Sequence, residues 1–427
     1  MNRVAYINAR LLDPASGLDS PGALISEGET VVDFGPDLSP PDDAQIVDCK
    51  GLCLIPGLVD MRVQLREPGE EYKGTLASAG RAATAGGVTS MVCLPNTNPV
   101  IDDMSVLEFV ARRARKLGLA KVYPYGAVTK GLMGEELAEI GLLSESGALA
   151  FTDGVKAVSN AQIMRRALSY ASNFGQMIIQ HPEEPSLAQG GVMNSGETST
   201  RLGLSGIPRE AEIIMVERDI RLAEMTGGRL HFAHLSTGEA VDVVRRAKAR
   251  GLAITCDTAP PYFALSEIAV GEYRTFAKLS PPLRAEEDRL AVIEGLQDGT
   301  IDAIASDHAP HDEESKRLPF AQAAFGGVGL ETLLVITLEL FHNGHLDLLS
   351  ALRLITSAPA DLLKLEAGRL KKGAPADLVL VDPGRGWKVD ADKMQSISKN
   401  TPFDGRPVQG VVLKTVVDGR TVFEKDA

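Results

Sequence analysis

The chain has 427 residues, of which 44% are hydrophobic and 24% are charged, as in an ordinary globular protein. A formal net charge of −13 argues against nucleic acid as a main partner, because phosphate binding requires basic patches. No apolar run reaches the ~18 residues of a membrane span, and the first residues lack the features of a signal peptide. The four cysteines form no CxxC pair. We therefore expect a cytoplasmic protein with reduced thiols and no membrane partner.

The first 56 residues show short strand patterns and little helical periodicity. Proline and glycine residues separate these patterns, as is typical of turns between strands. We expect residues 1–56 to form part of a small β unit, with strands at 4–7, 23–25 and 45–48.

From residue 57 the pattern changes to strands that alternate with helices. The eight expected strands are 58–64, 88–94, 122–127, 148–153, 177–181, 230–234, 252–256 and 301–307. Eight strands alternating with helices predict a parallel (β/α)8 barrel over residues 57–360.

Apolar periodicity predicts several of the helices between these strands. Residues 161–174 and 209–225 each carry an apolar stripe at helical spacing. A further helix is expected over 236–250, with Ser236 as its cap at capping-box spacing from Glu239.

Residues 361–427 return to strand patterns, and Asp418-Gly419 is expected to form the turn of a hairpin. A β unit at each end of a barrel predicts that the two termini join. The predicted fold class is thus α/β, a (β/α)8 TIM-type barrel with a small β-sandwich domain built from residues 1–56 and 361–427.

Carboxylate and imidazole side chains collect where the expected barrel strands end, at Asp153, His181, His234 and Asp307. Active sites of such barrels lie at the C-terminal ends of the strands, and imidazole and carboxylate are ligands that zinc prefers. These residue types fit metal-assisted hydrolysis of an amide, with Asp307 moving the proton.

Each of these residues also has a structural interpretation. Asp153 precedes a glycine and suits a turn, His181 precedes a proline and suits a strand end, and Asp307 suits the N-cap of a helix. One of His231 and His234, which lie on opposite faces of a strand, could be a core histidine. The convergence of the set at one face favours a site.

The first barrel strand ends in polar residues that share one face. Arg62, Gln64 and Arg66 alternate along the strand, and side chains alternate between the two faces of a strand. Three polar residues on one face at a strand end indicate a site rather than a core.

Several motifs resemble those of the dihydroorotase family. They are GLVDM at 57–61, LREPG at 65–69, AGGVT at 85–89, LPNTNP at 94–99, PPLR at 281–284, DHAPH at 307–311, GLET at 329–332 and NTPF at 400–403. The resemblance covers nearly the whole chain. It implies a cyclic amidohydrolase that interconverts carbamoyl aspartate and dihydroorotate in pyrimidine synthesis.

The resemblance assigns two sets of side chains. The set that would hold a metal consists of Asp153, His181 and His234. Asp307 matches a further ligand that also serves as general base, and is the catalytic residue. The set that would bind the substrate carboxylate consists of Arg66, Asn96 and His311, which suits a guanidinium, an amide and an imidazole.

The chain departs from the family at its HxH metal motif. The two histidines stand at the positions of Arg62 and Gln64, and arginine does not ligate a metal. The usual asparagine before two prolines is Ser280, and the usual PHH reads PPY at 260–262. The resemblance therefore implies zinc as the cofactor, with at most one ion.

Two carboxylates that face each other inside a barrel need a positive partner. We expect Arg62 to replace the lost metal electrostatically, as an ion-pair partner of Asp307, Asp153 or both.

Three functions remain open. The first is a degenerate dihydroorotase-like protein with little or no turnover that is a partner of aspartate transcarbamoylase, as non-catalytic family members are. The second is an active dihydroorotase with one metal at Asp153, His181 and His234. The third is a sensor that binds a small molecule, dihydroorotate or carbamoyl aspartate. A homo-oligomer is expected, and the loop 319–329 is a candidate lid.

Overall fold

The computed structural model describes residues 3–425. Helices and strands alternate through the middle of the chain, and strands dominate both ends. The α-helices of this part of the chain are α1 (Leu76–Ala85), α2 (Met104–Leu117), α3 (Ile140–Glu145), α4 (Ala161–Ser172), α5 (Pro185–Ala188), α6 (Glu197–Leu202), α7 (Glu210–Thr226), α8 (Gly238–Ala249), α9 (Pro260–Ala264), α10 (Glu286–Gln297), α11 (Glu313–Arg317), α12 (Leu333–His342), α13 (Leu348–Arg353) and α14 (Ser357–Leu363).

The strands fall into three groups along the chain. The N-terminal strands are β1 (Arg3–Asp13), β2 (Leu18–Glu27), β3 (Thr30–Gly35), β4 (Gln45–Asp48) and β5 (Cys53–Pro56). The central strands are β6 (Leu58–Val63), β7 (Val88–Cys93), β8 (Lys121–Pro124), β9 (Phe151–Thr152), β10 (Met177–Gln180), β11 (Met193–Asn194), β12 (Gly206–Ile207), β13 (Arg229–Phe232), β14 (Ile254–Thr258) and β15 (Ala303–Ile304). The C-terminal strands are β16 (Leu378–Lys388), β17 (Pro407–Val417) and β18 (Arg420–Glu424).

Eight central strands form two parallel sheets, with the orders β6-β7-β8 and β15-β14-β13-β10-β9. A parallel bridge between Gly126 and Phe151 connects the β8 and β9 edges, and one between Val63 and His308 connects the other two edges. The chain therefore has a mixed α/β fold of the TIM-barrel type, in which the strand ends that carry the candidate site lie together.

The predicted helices are confirmed with small shifts at their ends. α4 buries Ile163, Ala167, Leu168 and Ala171, the stripe that its periodicity predicts. The apolar stripe expected over 209–225 includes Ile213, Ile214, Val216 and Ile220, and its assignment is wrong at Ile214, which is 46% exposed while the other three are buried.

The predicted cap of α8 is also wrong by one residue. Thr237 caps this helix, because its side chain accepts a hydrogen bond from the N–H of Ala240. The Ser236 hydroxyl instead donates to Glu212 Oε2 at 2.5 Å. A buried carboxylate from another helix thus takes the hydroxyl that local spacing assigned to the cap.

Both ends of the chain meet in one eight-stranded sheet. β5 pairs antiparallel with β16, with Ile55 opposite Val379, and the sheet order is β18-β17-β16-β5-β1-β2-β3, with β4 beside β1. The hairpin at Asp418-Gly419 is confirmed, since β17 and β18 pair across it.

The longest of the helices between residues 3 and 425, α7, has 17 residues, and none of them is long and apolar enough to cross a membrane.

A cation links the central strand β8 to the terminal sheet. Lys121 Nζ lies 2.8 Å from Asp377 Oδ2 and 2.7 Å from Asp418 Oδ1. Asp377 is only 5% exposed, and burial raises the pKa of this carboxyl although Lys121 opposes the rise. The Asp377 carboxylate therefore depends on Lys121 for its positive partner.

We expect Lys121→Met to lower the free energy of unfolding by roughly 2–4 kcal/mol, because it leaves a buried carboxylate unpaired. Lys130→Met is the control, since Lys130 forms an exposed ion pair with Glu136 and its loss should leave stability nearly unchanged. Urea denaturation measures both variants, and equal losses would contradict the structural role of Lys121.

Candidate active site

The ion pair between Arg62 and Asp307 lies at the centre of the candidate site. Arg62 is 2% exposed, and its Nε lies 2.8 Å from Asp307 Oδ1. Its Nη2 donates to the carbonyl oxygen of Gly154 at 3.1 Å. The expected ion pair of Arg62 with Asp307 is thus present. One guanidinium connects the chain segments that follow β9 and β15 to the end of β6.

Two histidines continue the hydrogen-bonded chain from Asp307. His234 Nδ1 lies 3.1 Å from Asp307 Oδ2, and His234 Nε2 lies 2.7 Å from His181 Nδ1. Burial raises the pKa of Asp307, but interactions with His234 and Arg62 outweigh burial and lower this pKa to about 2. Burial and then the charge of Arg62 lower the pKa of His234 to about 4. A neutral His234 that donates from Nδ1 must accept at Nε2, so His181 donates from Nδ1.

Asp153 contacts the neighbouring loop instead. Its Oδ1 accepts the N–H of Val128 at 3.0 Å and of Thr129 at 2.9 Å, and its Oδ2 accepts the Thr129 hydroxyl. Burial raises the pKa of Asp153, and the Thr129 hydrogen bonds oppose this rise. No hydrogen bond joins Asp153 to His181 or His234 in the part of the chain that the structure describes.

These donors do not fit a metal ion. A zinc ligand must offer a free lone pair on nitrogen, oxygen or sulfur. His234 Nε2 instead accepts from His181, both Asp153 oxygens already accept hydrogen bonds from the loop, and the Arg62 guanidinium places a positive charge beside Asp307. Within residues 3–425, no three His, Cys, Asp or Glu side chains form a group that could hold a metal ion. No chemical step of this site is therefore assigned to a metal.

Arg66 and His311 lie together, and we call this pair the anion site. Arg66 Nη2 lies 3.2 Å from His311 Nε2, and Arg66 Nη1 pairs with Glu70 at 3.0 Å. Burial and then the charge of Arg66 lower the pKa of His311 to about 3, so its imidazole is neutral. His311 Nδ1 is buried and has no hydrogen-bond partner within residues 3–425. An imidazole that accepts at Nε2 carries its proton on Nδ1. The backbone of Phe325 interacts with this ring and raises its pKa, but no hydrogen bond of good geometry within the described chain satisfies Nδ1, so this buried donor can turn to a ligand.

Asn96, the third residue expected at the substrate carboxylate, is engaged elsewhere. Its Nδ2 donates to Gln64 Oε1 at 3.0 Å. Gln64 thus accepts one of the hydrogen bonds that Asn96 could give to a ligand.

The cavity that reaches Asp307 has a volume of about 10 Å³, and its walls include Pro261, Leu279, Gly329 and Phe403. This volume is about what one water molecule needs, whereas pockets for small molecules usually measure hundreds of Å³. The space directly beside Asp307 is therefore too small for a cyclic amide, and Arg66 and His311 are not among its walls.

Two of the structural interpretations are decided by contacts. His231 is the core histidine, fully buried between Thr255 Oγ1 and Asp257 Oδ2 at 2.8 Å each. Asp307 is not the N-cap of a helix, because Asp312 caps α11. Asp307 instead has a φ of 50°, in the left-handed region. The chain changes direction at this residue, after β15, and the Asp307 side chain lies in the site.

Sequence reasoning missed Asn400 and the lysines Lys278 and Lys316. Asn400 Oδ1 accepts the N–H of His311 at 3.2 Å, so it holds one half of the anion site. Its place in the motif at 400–403 was a signal. Nothing in the sequence indicated a role for the two lysines, since a single lysine usually occupies an exposed position.

The fold is similar to that of solved hydantoinases. L-hydantoinase from Arthrobacter aurescens has a TM-score of 0.89 and 25% identity, covering 100% of this chain and 97% of that chain. Dihydropyrimidinase from Brevibacillus agri NCHU1002 has a TM-score of 0.83 and 22% identity, covering 99% and 95%. A family model described as "Amidohydrolase family" matches residues 215–423. The protein is thus of the amidohydrolase class.

A second family model, described as "Dihydro-orotase-like", matches residues 51–240. A dihydroorotase of Anaplasma phagocytophilum (strain HZ) is 48% identical over 99% of this chain and 96% of that protein. A dihydroorotase of Pelobacter propionicus is 48% identical over 98% of this chain and 99% of that protein. The chain belongs to the dihydroorotase family.

We expect Arg62→Met to lower the free energy of unfolding by roughly 3 kcal/mol, because Asp307, whose side chain is only 17% exposed, loses its cation. Adding Asp307→Asn should restore part of the loss, since it removes the unpaired charge. A double-mutant cycle by urea denaturation measures the coupling. Strictly additive losses would show that the two side chains do not stabilise each other. Arg250→Met, which breaks an exposed ion pair with Glu224, is the control.

Proposed function

We propose that this chain is a dihydroorotase-like protein with little or no hydrolytic turnover that is a partner of aspartate transcarbamoylase. The observation that carries the proposal is the 2.8 Å contact between Arg62 Nε and Asp307 Oδ1. The residue that the family resemblance makes the general base is held by a guanidinium at the position of a lost metal ligand.

Arg62 opposes metal-assisted hydrolysis in two ways. Its positive charge repels a divalent cation at the same place. Its hydrogen bond to Asp307 Oδ1, together with that of His234 to Oδ2, lowers the pKa of this carboxyl and makes it a weaker base toward water.

The partner role is supported by what the chain retains. The central strands and the terminal sheet are in place although the HxH positions have changed. A complete fold around an altered site suits a role that depends on shape and surface. The identity of the partner rests on the resemblance to non-catalytic family members.

The purified protein should contain substoichiometric zinc and should not hydrolyse dihydroorotate. Restoring the motif with Arg62→His and Gln64→His together should raise the zinc content toward one ion per chain, because the cation is removed and two ligands are added. Elemental analysis by mass spectrometry and a hydrolysis assay measure these results. Gln64→His alone is the control, since it leaves Arg62 in place.

Stoichiometric zinc in the wild-type protein, with hydrolysis abolished by His181→Ala, would contradict the proposal. That result would favour the active enzyme with a single metal at Asp153, His181 and His234.

Aspartate transcarbamoylase from the same organism should form a complex with this chain. We expect the two to elute together in size-exclusion chromatography with light scattering, which also gives the number of copies of each chain. Separate elution at concentrations well above those in the cell would contradict the partner role.

The anion site favours a second candidate function, the binding of a carboxylate ligand without turnover. Arg66 is 8% exposed, and His311 keeps a buried Nδ1 without a partner in the described chain. A scaffold alone has no need of this pair. Dihydroorotate and carbamoyl aspartate both carry the carboxylate that it would bind.

A further inference from the structure

Lys316 is buried at the end of α11 and donates hydrogen bonds to the backbone of the loop 319–326. It is 2% exposed, and its Nζ lies 2.7 Å from the carbonyl oxygen of Ala324 and 2.9 Å from that of Gly326. One ammonium group thus joins two carbonyl groups of the C-terminal half of the loop.

Lys278 holds the other half of the same loop. It is also 2% exposed, and its Nζ lies 2.9 Å from the carbonyl oxygen of Phe320 and 3.0 Å from that of Ala321. The ring centroid of Phe325 lies 4.4 Å from the same nitrogen, within the range of a cation–π contact.

Neither lysine has a carboxylate partner within residues 3–425. Burial lowers the pKa of Lys278 to about 8, and burial followed by the charge of Lys278 lowers that of Lys316 to about 7. Burying an ammonium group without a counter-charge is costly, and a methionine would fill the same space more cheaply. The two charges therefore need a role beyond packing.

The loop end that these lysines hold lies against the anion site. A Cβ atom on Gly326 would lie 3.3 Å from His311 Nε2 and 2.7 Å from Ala309 Cβ. The N–H of Gly326 donates to the carbonyl oxygen of Lys278 at 2.9 Å. The charge of Lys316 also helps to lower the pKa of His311, after burial and Arg66. The position of the loop, which both lysines hold, and the positive potential of Lys316 thus both reach His311.

We propose that Lys278 and Lys316 are positioning residues for a carboxylate ligand at Arg66 and His311. They hold the loop 319–326 closed against His311 and add uncompensated positive charge beside the anion site, without contacting the ligand. This inference rests on the proposed binding of a carboxylate ligand. The loop would then be a lid whose backbone carbonyl groups are hydrogen-bonded to the two lysines.

The test combines ligand titration with hydrogen exchange on Lys278→Met and Lys316→Met. Calorimetry with L-dihydroorotate should give an affinity at least about tenfold weaker for each variant than for the wild type. Amide exchange over residues 318–327 should become about tenfold faster or more. Lys316→Arg should recover most of the affinity, because it keeps the charge and the donors.

Arg317→Met is the matched control, because Arg317 is the exposed neighbouring cation and pairs with Glu313. It should change neither measurement by more than about twofold. Dihydrouracil, which lacks the carboxylate, is the control ligand, and its weaker binding should not change. Lys316→Gln replaces Lys316→Met if the latter does not fold, since it keeps a donor without the charge.

Wild-type affinity and wild-type exchange in both methionine variants would overturn the role of the lysines. Equal losses of affinity for dihydroorotate and dihydrouracil would reduce that role to packing and overturn it as well. Absence of dihydroorotate binding to the wild-type protein would overturn the ligand site itself, and the inference with it. The two failures are therefore distinguishable.

Discussion

A buried guanidinium and a buried carboxylate stabilise a protein only while both are present, because each leaves the other charge uncompensated when it is removed. Arg62 and Asp307 form such a pair, 245 residues apart along the chain. The pair determines the state of its neighbours. An ionised Asp307 accepts a hydrogen bond from the N–H of His234 Nδ1, and His234 Nε2 in turn accepts a hydrogen bond from His181. The ion pair at the end of the first barrel strand thus continues through the hydrogen bonds of His234 and His181.

The positive charge of the site is distributed unevenly. Arg62 is balanced by Asp307, and Arg66 is partly balanced by Glu70. Within residues 3–425, Lys316 contacts backbone carbonyl groups and Lys278 contacts carbonyl groups and aromatic rings, and neither has a carboxylate partner. The result is a site that repels a metal cation at its centre and attracts an anion at its edge.

The sequence predicted the fold well where the signal is local. Strand alternation and helical periodicity identified the central strands and the helices α4, α7 and α8, because these patterns depend on neighbouring residues. Errors arose where a distant group competes. Ser236 has the spacing of a cap, but Glu212 accepts its hydroxyl, so Thr237 caps the helix. The barrel strands β9 and β15 have only two residues each and end before Asp153 and Asp307, where the chain turns toward the site.

By itself, the sequence determined the alternation of strands and helices, the positions of the site residues at strand ends and the presence of Arg62 and Gln64 at the end of the first barrel strand. Only the tertiary structure decided which groups those residues meet. In the folded protein Asp153 accepts hydrogen bonds from the loop at 128–129, Gln64 pairs with Asn96, and the buried Lys278 and Lys316 contact the loop 319–326. The physical reason is range. The periodicity of a helix or strand depends on residues that are close in sequence. The partners of these hydrogen bonds and ion pairs are distant in sequence and meet only when the strands pack together.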